Sequence, residues 1–188
     1  MTTTDIQKLK ADFLAKCHRE LLQNRNAVEF ICTAFGHREL CAAYFESPWS
    51  ETLRGCPDYV EAGFHVWTMT EVLFPWREDW ARFFREHRPE VRRHWMTREE
   101  RQRLASLPET VAVWRGYRHP HRGAGMAWTL HEAVARKVPL ARERGPGTPF
   151  LIKGEVLRDD IIVYTNCREE EEVIAMPDRV RVIEGGPA

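Results

Sequence analysis

Thr110-Val-Ala-Val-Trp-Arg115-Gly is where the chain changes character. Thr110 to Trp114 is β-branched, apolar or aromatic, the composition of a strand inside a sheet. From there short apolar runs alternate with turn residues. Phe150 to Leu157 and Ile161-Ile-Val-Tyr164 read as strands separated by a turn at Arg158-Asp-Asp160. Val173-Ile-Ala-Met176, Pro177-Asp178 and Val180-Arg-Val-Ile183 read as a hairpin. Leu130 to about Arg142 has a helical pattern, with Leu130, Val134 and Val138 on one side and Pro139 unsettling its second half. Arg118 to Gly125 and Arg144 to Pro149 are loops. Residues 109–188 thus predict a compact mixed lobe of five short strands and one helix.

Residues 1–108 read as helical. Asp5 is placed to cap a helix carrying Ile6, Leu9, Phe13, Cys17 and Leu21, and Asn24 to Asn26 interrupts it. Ala27 to about Phe45 repeats the pattern with Val28, Ile31, Phe35 and Leu40 inside, although Gly36 argues against one continuous helix. Ser47 to Asp58, with Pro48, Gly55 and Pro57, is a loop with a short helical piece. Tyr59 to Phe74 is helical up to Pro75. Arg77 to His87 then places Trp80, Phe83, Phe84 and His87 on one helical face. Thr97-Arg-Glu-Glu100 is a capping box opening a helix that stops near Pro108. The expected whole is α+β, a helical first half packed on a mixed sheet.

The 188 residues allow one domain, or one with a substantial extension, and 43% apolar residues suffice for a core. Lysine plus arginine, 28, equals aspartate plus glutamate, 28, so no global charge draws the chain to nucleic acid or a membrane surface. Cysteines at 17, 32, 41, 56 and 167 are odd in number and lack a CxxC, which points to reduced thiols. The N-terminus has no basic-then-apolar leader, and no apolar run spans a bilayer. The expectation is a soluble, cytoplasmic protein that binds no membrane.

The arginines and aromatics from Trp76 to Arg103 have a composition used on single-stranded nucleic acid. The aromatics share one helical face and acidic residues offset the arginines, which favours a core reading. The histidines form no HExxH or zinc-spaced pattern, so no metal is expected. His119 and His121, flanking Pro120, read as part of a solvated loop close to the candidate site.

Three blocks carry chemistry. Arg115 ends a strand beside Gly116, where a guanidinium can fork onto a phosphate and a ligand can approach the main chain. Gly125 to Leu130 reads as a loop feeding a helix, with Thr129 just before or at the helix start and Trp128 either in the core or beside a planar ring. Glu169 to Glu172 runs into Val173-Ile-Ala, so at least its last two carboxylates read as strand. Alternation then puts Glu170 and Glu172 on one face and Glu171 on the other. Such a pair needs compensation, and Arg115 and Arg168 are the expected compensators.

Trp-Arg115-Gly, Ala127-Trp-Thr129 and Glu170-Glu-Glu172-Val-Ile-Ala, in that order, resemble the three blocks of the arginine–serine–glutamate class of ADP-ribosyltransferases. The resemblance covers roughly residues 110–186. Two departures stand out: Ala127 lies where the first serine of that class is expected, and the span from Arg115 to Thr129 is short. The resemblance implies NAD as substrate and no metal. It implies catalytic roles for Arg115, Thr129, Glu170 and Glu172, and cofactor contacts from Arg115, Gly116, Tyr117, Trp128 and Thr129. Arg115 would hold the diphosphate or nicotinamide-ribose phosphate, and the Gly116 main chain the carboxamide. Thr129 would orient Glu172, Glu172 would take the ribose 2′-hydroxyl, and Glu170 would serve the acceptor. The loop Thr165 to Glu169 would face that acceptor, an arginine side chain, another protein group or a nucleic acid. Residues 1–108 would cap the cleft or present the target.

The resemblance thus implies a mono-ADP-ribosyltransferase that modifies a macromolecule. A catalytically silent binding module of the same fold and an NAD glycohydrolase are the alternatives. Toxin, phage effector and regulator all remain open as settings, as does the oligomeric state.

Overall fold

In the computed structural model, which describes residues 3–37, 39–70, 74–119, 125–141 and 147–187, the strand that starts at Thr110 runs on to His119 as β1 (Thr110–His119). It joins β2 (Ala127–Thr129), β3 (Thr148–Leu157), β4 (Ile161–Thr165), β5 (Glu172–Ala175) and β6 (Val180–Pro187) in one antiparallel sheet of order β4-β5-β2-β1-β3-β6. β1 and β3 pair residue by residue, from Thr110 with Leu157 to His119 with Thr148. β1 and β2 share one register pair, Trp114 with Thr129. Three long strands on one side and three short ones on the other therefore meet at a narrow seam.

The sheet corrects three expectations. The residues before the helix form a sixth strand, β2, where a loop was expected, because both edges of Ala127–Thr129 find partners. Arg118 and His119 belong to β1, held by pairing with β3; the expected loop site of His121 and Pro120 lies outside the described residues. Val173–Met176 and Val180–Ile183 do not form a hairpin. β5 pairs with β4 and β2, while β6 pairs with β3 at the far edge. The 3-10 turn Pro177–Arg179 redirects the chain, and a turn signal does not say which neighbour the next strand takes.

The chain divides into two compact units, Met1–Asp79 and Trp80–Ala188. The change of composition at Pro108 marks where strand chemistry starts. The division at Asp79 marks where chain contacts change partners. In the second unit, the part of α6 (Arg77–Glu86) from Trp80 onward turns Trp80, Phe83 and Phe84 inward, and Trp95 meets all three rings at 5.4–6.2 Å. Arg88 and Arg92 of α7 (Arg88–His94) donate to the carbonyl of Asp159, and Arg92 also to that of Ile161, tying the helix to the start of β4. α8 (Arg98–Ser106) opens with the predicted capping box, Glu100 N to Thr97 Oγ1 at 3.1 Å and Thr97 N to Glu100 Oε2 at 2.8 Å. α9 (Glu132–Ala141) packs against β1, β2 and β3. Every β4 side chain is buried: Ile161 to Tyr164 is an unbroken apolar run, and Thr165 is buried with it. At Gly154 of β3 an added Cβ would lie 2.7 Å from Val180 Cγ1, so only hydrogen fits.

The first unit holds α1 (Thr3–Asn24), α2 (Ala27–Ala34), α3 (Leu40–Phe45), α4 (Ser50–Arg54) and α5 (Tyr59–Met69). Asn26 caps α2, and both oxygens of Asp58 take its first amides, Ala27 N and Val28 N, at 2.9 Å each. Tyr44 and Tyr59 stack at 4.7 Å in the core. Cys17 and Leu21 are buried as expected, but Leu9 and Phe13 are 56% and 46% exposed, so of these four it is the two nearer the C-terminal end of α1 that pack. No disulfide forms among the cysteines, and among the described residues no helix is long and apolar enough to cross a membrane.

Replacing Thr97 by Ala removes one half of the capping box. Urea denaturation is expected to show a loss of about 1 kcal/mol with an unchanged m-value.

Candidate functional site

The three blocks fall on consecutive strands. Arg115 lies on β1, Ala127 to Thr129 are β2, and Glu172 opens β5. Trp114 pairs with Thr129, Thr129 with Glu172, and Glu172 with Thr165 of β4. One row of side chains thus crosses the sheet, and strand spacing sets Trp114 and Glu172 about 10 Å apart. Arg115 is one residue beyond that row, so alternation starts its side chain on the face opposite Thr129 and Glu172.

The guanidinium does not follow the face it starts from. Arg115 Nη1 donates to the Ala127 carbonyl at 2.5 Å, and a Cβ on Gly125 would sit 2.4 Å from Arg115 Cζ. The side chain therefore occupies the seam where β1 leaves β2, and its guanidinium fills the space that a side chain on Gly125 would take. Gly116 is buried and opposite Leu151. Tyr117 packs on Phe150 at 5.3 Å; burial pushes its phenol up, against the pull of the Arg115 charge. Trp128 is 3% exposed, its Nε1 donating to the Gly125 carbonyl at 2.8 Å, so it takes the core alternative.

Thr129 lies just before the helix, as one of its two expected placements has it, but on a strand. It is 7% exposed on β2, accepts from His131 N at 3.1 Å and donates to the Glu170 carbonyl at 2.5 Å. Its hydroxyl fixes the main chain of the acid run. That run is not extended before Glu172. Glu169 and Glu171 have φ of 58° and 43°, in the left-handed region. The expected shared face of Glu170 and Glu172 therefore has no strand alternation behind it, because Glu170 lies in the turn.

Glu171 is the centre of the cluster. Tyr164 donates to its Oε1 at 2.6 Å and Arg103 Nε to the same oxygen at 3.1 Å, while His131 Nε2 lies 2.5 Å from its Oε2. Its amide donates to Asn166 Oδ1 at 3.1 Å and its carbonyl accepts from Leu130 N at 3.2 Å. Burial alone would push this carboxyl up. The hydrogen bonds from Tyr164 and Arg103, the Arg103 charge and His131 outweigh burial and hold it below its ordinary 4.5. Burial and then the Glu171 hydrogen bond push the Tyr164 phenol up to about 12, so it stays a donor. The expected compensators of the run were Arg115 and Arg168; at Glu171 the compensation comes from Arg103, 68 residues earlier.

Sequence reasoning passed over Arg103, His131 and Tyr164. Tyr164 carried a signal: a hydroxyl ending a fully apolar strand needs a buried partner. Arg103 and His131 carried none, since each reads as an ordinary helix-surface or loop residue. Among the described residues no three His, Cys, Asp or Glu side chains group to hold a metal ion. Comparison with models of known families, with curated proteins and with solved structures finds no match.

The folded Glu171 carboxyl is the stronger acid, so its ionised contacts stabilise the fold above the unfolded value of 4.5. That contribution is lost as pH falls through the lower folded value. Glu171→Gln is therefore expected to melt below wild type at neutral pH, with the gap closing at acid pH; thermal melts across pH read it.

Proposed function

We propose that the chain is an NAD-dependent mono-ADP-ribosyltransferase that moves ADP-ribose from NAD onto a macromolecular acceptor, a protein side chain or a nucleic acid. The observation that carries this reading is the register Trp114–Thr129–Glu172, which gathers the three blocks onto adjacent strands. The second support is the Arg115 guanidinium, set in the seam against Gly125.

NAD lies across that seam. Arg115 takes its diphosphate or nicotinamide-ribose phosphate, with Gly116 and Tyr117 beside it. Glu172, held in the β5 ladder, accepts the ribose 2′-hydroxyl and stabilises the cationic sugar as the bond from C1′ to the nicotinamide nitrogen breaks. The electron pair leaves with nicotinamide. Fixed charge of this kind is worth about 3–4 kcal/mol per group. The acceptor's nucleophile then bonds to C1′, and its proton passes to Glu170, a step of general-base help worth roughly 10²–10⁴-fold. Thr129 acts on this arrangement through the Glu170 carbonyl, in place of the direct contact with Glu172 that the resemblance implies.

Ala127, which brings no hydroxyl to β2, favours the second reading, a silent binding module. NAD hydrolysis is the third outcome, with water as acceptor.

Purified chain is expected to release nicotinamide from NAD, and Glu172→Gln to lower that rate about 10²–10³-fold. With labelled NAD in cell lysate, transfer leaves label on macromolecules sensitive to protease or to nuclease, while hydrolysis leaves only ADP-ribose. If wild type and Glu172→Gln are equally inert with lysate present, the chain is a binding module. Gly125→Ala is expected to displace the guanidinium of Arg115, lowering nicotinamide release and, because the Ala127 carbonyl loses its donor, lowering the melting temperature as well.

A further inference from the structure

Helix α8 grips the turn between β4 and β5 at both ends. Glu100 Oε1 accepts from Thr165 Oγ1 at 2.9 Å and from Asn166 N at 2.7 Å, where the turn begins. Arg103 Nε meets Glu171 Oε1 at 3.1 Å, where it ends. Residues three apart share a helix face, so one face of α8 supplies both grips. Thr165 is 2% exposed, and Glu100 is the partner its buried hydroxyl requires. Between the two grips Cys167, Arg168 and Glu169 are exposed, and Glu170 is half-buried.

The two carboxylates of the proposed reaction are held by different means. Glu172 is in the ladder, paired with Thr129 and Thr165, and strand pairing fixes it. Glu170 lies outside the ladder between two left-handed residues, Glu169 and Glu171. Main-chain geometry of that kind persists only where surrounding contacts hold it. The contacts that hold it include Thr129 on its carbonyl, the two α8 side chains at the ends of its turn, and Tyr164, His131, Asn166 and Leu130 on Glu171.

We propose that Glu100 and Arg103 are positioning residues for the acceptor half of the reaction: they hold the tip of the turn and Glu170 in place, and without them NAD cleavage is uncoupled from ADP-ribose transfer. The proposal rests on the transferase reading above. It assigns α8 to the support of the acceptor-facing turn.

The test compares wild type with Arg103→Gln, Glu100→Gln, Arg103→Lys, Glu171→Gln and the double variant Arg103→Gln/Glu171→Gln in the full chain. Nicotinamide release without acceptor reports NAD cleavage. Label from tagged NAD on precipitated lysate macromolecules reports transfer. Amide exchange of residues 166–171 reports the turn. Arg103→Gln and Glu100→Gln are expected to lower transfer about 10-fold or more, while nicotinamide release stays within about twofold. Exchange at 166–171 is expected to quicken about 10-fold with β4 and β5 unchanged. Arg103→Lys, which keeps the charge, is expected to recover part of the transfer, and the double variant to fall no further than Glu171→Gln alone, because Arg103 acts through Glu171. Equal loss of release and transfer, or unchanged transfer, overturns the proposal. A wild-type chain inert toward NAD overturns the transferase reading and the positioning role with it. Exchange then still shows whether α8 clamps the turn, so the two failures are told apart.

Discussion

Two halves of one sheet meet through a single register pair, Trp114 with Thr129. Everything proposed for this chain depends on that narrow seam. On one side the strands are long, with a register shift between Lys153 and Gly154 where β3 meets β6; on the other they are short and almost wholly buried. A carbonyl left at the seam must find a donor, because unpaired main-chain groups are costly away from water. Ala127 finds it in the Arg115 guanidinium. A charged side chain thereby takes the place of a ladder hydrogen bond, and a cation is stationed where two strands part.

The acid run solves a different problem. Four successive carboxylates beside a buried strand would repel one another if all lay along one extended edge. The chain avoids this by leaving the extended conformation at Glu169 and Glu171. Glu171 goes inward, where Tyr164, Arg103 and His131 take its oxygens. Glu172 starts the strand, and Glu170 stays in the turn between them. One carboxylate thus anchors the segment, one is fixed by pairing, and one depends on its neighbours for its position.

Local pattern was a good guide to the elements and a poor one to their partners. The capping box at Thr97, the aromatic face of Trp80, Phe83 and Phe84, and the apolar run Ile161 to Tyr164 all appear where their chemistry puts them. β2 was missed because three residues between a glycine and a helix have no period of their own; they are a strand only because β1 and β5 flank them. The supposed hairpin of β5 and β6 failed for a related reason. A turn reverses the chain, but β5 had already filled both of its edges.

The site divides in the same way. The amino-acid order by itself determined the α+β class, the strand character of the blocks around Arg115 and Glu172, and the closeness of a threonine hydroxyl to the start of α9, since composition and period act over a few residues. Only the tertiary structure decided that Glu171 faces inward, that Thr129 holds the Glu170 main chain, and that Arg103 answers a charge far along the chain. Hydrogen bonds and ion pairs join groups that meet only after strands have chosen their neighbours, and that choice is made by the whole sheet.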